Sequence, residues 1–168
     1  MKRIIGIDPG LAHTGYGIID LDGERFIHRD HGVITTPSSA EVGARLLSIY
    51  DRIVELIRQF NPEEAGIESL YFAKNVTSAI PVAQSRGIVL LAFAQANVPA
   101  HEYPPQAIKQ AIVGTGRAEK LQVQELVRVL LGLREIPKPD HAADALAAAI
   151  CHANTGGVLD ALKGKRRG

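Results

Sequence analysis

Three carboxylates stand in apolar settings along this chain. Asp8 closes the run Arg3-Ile4-Ile5-Gly6-Ile7, Glu68 follows Ala65-Gly66-Ile67, and Asp144 lies inside the alanine-rich stretch 141–150. Burying one carboxylate is costly, and three close together repel unless something compensates them. A divalent cation, Mg²⁺ or Mn²⁺, is the simplest compensator because both favour oxygen ligands. Converging in space, the three would form a metal-dependent phosphoryl-transfer site. Plainer readings stand beside this one. Asp8-Pro9-Gly10 is equally a good turn. Glu68 alone fits a strand-end carboxylate facing water. Asp144 is harder to set aside. Ala142, Ala143, Ala145, Ala147 and Ala148 around it suit a helix lying close to a sheet, whereas a solvated face carries more charge. Taken together, the three favour a site.

The elements that must position them follow from pattern. Residues 3–8, 14–21 and 25–34 are β-rich runs broken by Asp8-Pro9-Gly10 and Asp22-Gly23. Asp22-Gly23 is a strong hairpin signal, so the first strands are antiparallel. Residues 40–60 are helical, with Leu46, Leu47, Ile49, Tyr50, Ile53, Val54, Leu56 and Ile57 on one broad face, and Asn61-Pro62 ends the helix. A buried strand at 65–68 comes next. A helix from Thr77 or Ser78 to Ala96 then puts Pro81 in its first turn. From Gly87 to Ala94 it is apolar or glycine throughout, which predicts one face on the sheet and another on a second subunit; a helix enclosed within one chain is the alternative. A Pro-limited strand at 98–103 precedes helices near 105–112, 119–131 and 140–153, with Asp140 as N-cap of the last. This order predicts an α/β fold: a mixed five-stranded sheet with helices on both faces.

Length and composition bound the rest. The 168 residues suffice for one domain, taken as 1–155, with a disordered basic tail at 156–168. With 46% apolar and 22% charged residues, the chain reads as globular. No uncharged run of membrane-spanning length is evident, and the N-terminus shows no secretory pattern. The expected location is therefore cytoplasmic, with no membrane partner. Cys151 is the lone cysteine, which excludes an intrachain disulfide or a thiolate zinc site. Residues 1–102 carry a net charge of −3 and residues 103–168 a net of +4. Acidic ligands in the first part and phosphate contacts in the second suit a nuclease, although a solvated basic surface gives the same asymmetry.

The motifs as a set resemble the RuvC family of Holliday-junction endonucleases, within the ribonuclease H-like superfamily. They are Gly6-Ile-Asp-Pro-Gly10 with Thr14-Gly-Tyr-Gly17, Ile67 to Asn75, Val82 to Gly87, Ile108-Lys-Gln110 running to Gly116-Arg-Ala-Glu-Lys120, and His141-Ala-Ala-Asp-Ala-Leu146. The resemblance covers residues 3–153. It implies an acidic centre of Asp8, Glu68 and Asp144 that holds Mg²⁺ or Mn²⁺, two ions per site. The fourth metal position falls on His141, where many relatives have Asp. The resemblance places Lys109 and Lys120 as catalytic cations near the scissile phosphate. It implies DNA contacts from Tyr71, Phe72, Lys74, Lys109, Arg117 and Lys120, with Tyr71 or Phe72 stacking on an unpaired base. Its expected activity is resolution of four-way junctions in recombination and repair, by paired nicks leaving 5′-phosphate and 3′-hydroxyl ends. Its expected partners are a second copy of the chain, junction DNA, and the junction-binding and branch-migration motor proteins of the same pathway.

Three rivals remain at this stage. A ribonuclease H-like enzyme would cut RNA–DNA hybrid. An actin-like ATPase shares the look of residues 6–17 but needs two domains around its nucleotide. A non-catalytic junction binder has no need of three convergent carboxylates.

Overall fold

The computed structural model describes residues 1–69 and 76–164. Five strands form one sheet: β1 (Lys2–Asp8), β2 (His13–Asp22), β3 (Arg25–Thr35), β4 (Glu64–Glu68) and β5 (Ala100–Tyr103). Their order is β3-β2-β1-β4-β5. The first three strands pair antiparallel, and β4 and β5 add in parallel. The sheet is mixed and five-stranded, as expected. Gly23 turns the β2–β3 hairpin at φ +60°, a conformation glycine adopts freely.

Five helices are described: α1 (Val42–Phe60), α2 (Val76–Gln95), α3 (Pro105–Val113), α4 (Lys120–Leu130) and α5 (Asp140–Gly164). Strand alternation divides the core in two. Ile5, Ile7, Tyr16 and Ile18 face α1 and α2, where they meet Ile49, Ile53, Leu56, Val89 and Phe93. Ile4, Ile19 and Tyr103 face α3, α4 and α5, where they meet Ile108, Val127, Leu146 and Ile150.

Helix α5 lies unusually close to the sheet. A Cβ on Gly6 would come 1.8 Å from the Ala145 carbonyl oxygen, and one on Gly15 would come 1.9 Å from that of His141. Glycine at these positions permits the backbone approach, and the alanines of α5 complete it. The chain therefore lays the start of α5 across the ends of β1 and β4, where Asp8 and Glu68 sit.

Several boundaries differ from the sequence expectation, each for a local reason. Helix α2 starts at Val76, so Pro81 lies inside the helix rather than in its first turn. There the Ser85 hydroxyl donates to the Pro81 carbonyl at 3.0 Å. Strand β5 starts only at Ala100, because the Val98 N–H turns back to the Phe93 carbonyl and Pro99 has no N–H to offer. Asp140 is the first helical residue of α5 and not its cap. Its carboxylate accepts from Gln124 instead, at 3.2 Å. Helix α5 also runs on to Gly164, into the segment expected to be a disordered tail. A helical glycine costs only ~1 kcal/mol, and Gly156 is still buried. Finally, Thr77–Gln95 within α2 is long and apolar enough by composition to span a bilayer, although it is not an uncharged run. Arg86 interrupts it and pairs with Glu102 on β5, while Val89, Ala92 and Phe93 are core residues.

Candidate active site

Asp8 and Glu68 occupy the adjacent C-terminal ends of parallel strands β1 and β4, which pair through Ile7 and Ile67. Alternation points both carboxylates toward α5, on the face shared with Gly6 and Gly66. From α5, His141 and Asp144 are three residues apart and so share a helix face. Asp8, His141 and Asp144 bring one ligand atom each within 4.8 Å of one another. His141 Nδ1 lies 2.8 Å from Asp8 Oδ2. Protonated Glu68 donates a hydrogen bond to Asp8. The four residues expected at the acidic centre are thus gathered by three separate elements.

The electrostatics of this cluster are those of an uncompensated anionic pocket. Burial pushes Glu68 up to about 8, and the charges of Asp8 and Asp144 push the same way. Burial also raises Asp8, with the Asp144 charge adding to it. Asp144 is raised by burial too, against the opposing pull of Lys120 and His141. Carboxyls that hold protons this strongly are short of positive charge. The donor set of three carboxylates and one imidazole suits a small divalent cation, and imidazole tilts the preference from Mg²⁺ toward Mn²⁺.

A cleft of about 210 Å³ opens beside the cluster, lined in part by Glu68, Asp144, Lys109 and Lys120. Ile108, Val123 and Ala147 give it an apolar wall. Lys120 Nζ lies 3.6 Å from Asp144 and 3.1 Å from Asp140. Burial alone would lower the Lys120 pKa, but the Asp140 hydrogen bond and both aspartate charges outweigh it, so it is raised. A fixed ammonium at the mouth of an anionic cleft can hold phosphate oxygens or neutralise developing charge. Arg117 is exposed in the loop between α3 and α4, outside the cleft lining. Tyr71, Phe72 and Lys74 lie outside the described residues.

Sequence reasoning missed three features near this face of the sheet. The His13 ring stacks on His141 with centroids 5.5 Å apart. Its only sequence signal is that His13, Gly15 and Gly17 share one face of β2. Asp140 was read as a cap although it bears on Lys120. Deeper along α5, buried His152 bridges two elements. Its Nε2 lies 2.7 Å from Glu64 Oε2, its Nδ1 lies 2.7 Å from the Tyr103 hydroxyl, and Lys2 holds the other Glu64 oxygen at 2.6 Å. These groups satisfy one another midway along α5, beyond the cleft-lining Asp144 and Ala147.

Known proteins resemble this chain in sequence and in fold. The family described as crossover junction endodeoxyribonuclease RuvC matches residues 4–152. A relative of that description from Treponema denticola is 57% identical over 155 residues, spanning 92% of this chain and 87% of its own. Thermus thermophilus RuvC superposes with a TM-score of 0.87 at 35% identity, covering 93% of this chain and 96% of that one. T. thermophilus RuvC in complex with Holliday junction substrate gives 0.85 at 33% identity over the same shares.

Proposed function

The chain belongs to the RuvC family of crossover junction endodeoxyribonucleases, and from that premise we propose that it resolves four-way DNA junctions. The reaction is phosphodiester hydrolysis by paired symmetric nicks, leaving 5′-phosphate and 3′-hydroxyl ends in recombination and repair. One observation carries the reading: three carboxylates and an imidazole, from β1, β4 and α5, meet beside a lysine-lined cleft on a ribonuclease H-like sheet.

Asp8, Glu68 and Asp144 would supply oxygen ligands and His141 a nitrogen ligand for Mg²⁺ or Mn²⁺, with two ions per site on this reading. When bound, the ions supply charge neutralisation, acidify the attacking water and stabilise the leaving oxygen. The protein's own work is positioning. Asp8 orients the His141 ring through its Nδ1 contact. Lys120 and Lys109 hold non-bridging phosphate oxygens from the cleft wall. Arg117, Lys74, Tyr71 and Phe72 extend the contact to flanking DNA, with an aromatic ring stacking on an unpaired base at the opened centre.

A homodimer matches the two-fold symmetry of a four-way junction and presents one site to each of two opposed strands. Helix α2 supports this assembly. Val89 and Phe93 turn inward, while Ile80 and Leu91 are about half exposed on its outer side. Leu47 of α1 is likewise exposed. A second copy of this surface is the natural cover for these exposed apolar side chains. The motor proteins that bind and migrate junctions are the further partners, and the work belongs in the cytoplasm, with the DNA.

The test compares labelled four-way junction, linear duplex and RNA–DNA hybrid, each with Mg²⁺, Mn²⁺ or EDTA. The expected result is symmetric paired nicks in the junction alone, absent in EDTA and absent for Asp144→Asn. Preferential cutting of the hybrid, or nicking by Asp144→Asn at the parent rate, overturns the assignment.

A further inference from the structure

Lys120 stands between two aspartates one helical turn apart on α5. Asp144 faces the acidic centre and Asp140 faces solvent. The ammonium lies nearer Asp140, at 3.1 Å, than Asp144, at 3.6 Å. Asp140 is itself held in place. The amide of Gln124, a residue buried to 9% exposure on α4, donates to its other carboxylate oxygen at 3.2 Å. Lys120 and Gln124 are four apart on α4 and therefore share a face. The start of α4 is fixed in turn by a reciprocal cap, with Glu119 and Gln122 bonding each other's backbone N–H groups. Two helix N-termini are thus clasped through one carboxylate, and the clasp ends on a cation at the cleft.

The two aspartates cannot serve Lys120 alike once the centre is engaged. Asp144 offers a carboxylate oxygen to the acidic centre as well as to Lys120, and positive charge arriving there would repel the ammonium. The hydrogen-bond and ion-pair partners of the Asp140 carboxylate among the described residues, Gln124 and Lys120, both lie on α4, so it can keep its hold. Its position in the first turn of α5 also suits a carboxylate, because the helix dipole there is positive. Without Asp140, Lys120 would have a flexible stem and no fixed anchor, and its ammonium would spread over many positions in the open cleft.

We propose that Asp140 is a positioning residue for the nuclease reaction: braced by Gln124, it holds the Lys120 ammonium at the cleft mouth while Asp144 serves the acidic centre. This rests on the reading of the cleft as a junction-cutting site, and it adds a residue that takes no part in ligation or in DNA contact. The effect falls mainly on the rate of the chemical step and little on junction affinity, since Lys120 is one phosphate contact among several.

The experiment is a double-substitution cycle on the full chain, read by single-turnover cutting of four-way junction at saturating protein and Mg²⁺. Asp140→Asn should slow cutting about two- to five-fold, the upper part of the range expected from losing one exposed ion pair. Junction affinity should change less than two-fold, and Asp140→Glu should recover most of the rate. In a Lys120→Ala background, Asp140→Asn should cost nothing further. An equal loss in that background, or an unchanged rate in the parent background, overturns the proposal. A second measurement does not depend on cutting at all. The ¹⁵N-lysine NMR signal of the Lys120 ammonium, with Mg²⁺ present, should lose order and exchange protons faster in Asp140→Asn. An unchanged ammonium signal also overturns it. If the parent cuts no junction, the function reading fails, and the NMR arm still decides whether Asp140 holds Lys120.

Discussion

Glu68→Gln should stabilise the metal-free protein, and should do so most in alkali. The fold opposes ionisation of Glu68 strongly, raising its pKa from 4.5 to about 8 through burial and the charges of Asp8 and Asp144. Each pKa unit is worth ~1.36 kcal/mol, so this rise acting alone would cost about 5 kcal/mol of stability with the carboxylate charged. Asp8 carries part of the same repulsion, so one substitution recovers roughly half, about 2–3 kcal/mol. The sign follows from proton counts. A carboxyl with a raised folded pKa binds protons more tightly folded than unfolded. Stability therefore falls as pH rises from 4.5 toward 8 and stays low above it. Glutamine never ionises, and its amide can still donate to Asp8 as the protonated acid does. The assay is thermal and urea unfolding in EDTA near pH 5, 7 and 9, at fixed protein concentration. At about pH 9 the variant should melt roughly 4–12 °C higher than the parent, taking ~2–4 °C per kcal/mol for a chain of this size. Near pH 5 the two should nearly coincide. Millimolar Mn²⁺ should then stabilise the parent more than the variant, since the variant has lost a ligand oxygen. A variant less stable than its parent at every pH, or a gain greatest in acid, would refute mutual repulsion of these carboxyls in the metal-free protein.

Three further outcomes follow from the same geometry. His141→Asp should lower the ratio of Mn²⁺- to Mg²⁺-supported cutting by replacing nitrogen with oxygen in the donor set; equal ratios in rate-against-metal titrations of the two proteins would remove His141 from direct ligation. Leu91→Glu on the outer face of α2 should shift sedimentation at micromolar concentration from about twice the 18.1 kDa chain mass toward a single chain, and a parent that already sediments as a monomer would exclude a preformed dimer. His152→Ala should destabilise the fold by about 2–4 kcal/mol in urea melts, because it leaves a cavity and deprives the Tyr103 hydroxyl and Glu64 of a buried partner; a change under about 0.5 kcal/mol would mean that water replaces the ring without loss.

The sequence by itself determined the kinds and order of the elements, because those rest on short-range periodicity. Alternation in 3–8 and 14–21, the Asp22-Gly23 turn, and the apolar face from Leu46 to Ile57 each lie within a few residues of what they specify. It also marked Asp8, Glu68 and Asp144 as a set, since a turn or a strand end explains Asp8 or Glu68 singly but not three carboxylates in apolar settings. Boundaries were less legible where one bond decided them, as when the Val98 N–H turns back to Phe93 and delays β5. Only the tertiary structure decided how the site is assembled. His141 meets Asp8 across 133 residues of sequence, and no local pattern records such a contact. The approach depends on α5 resting against Gly6 and Gly15, glycines that in sequence resemble ordinary strand interruptions. Asp140 shows the same limit at smaller scale. Its sequence position suits a helix cap, but α4 packs alongside and brings Lys120 and Gln124 within reach of its carboxylate. A charged side chain goes to the strongest partner that packing places near it, and packing is a property of the whole fold.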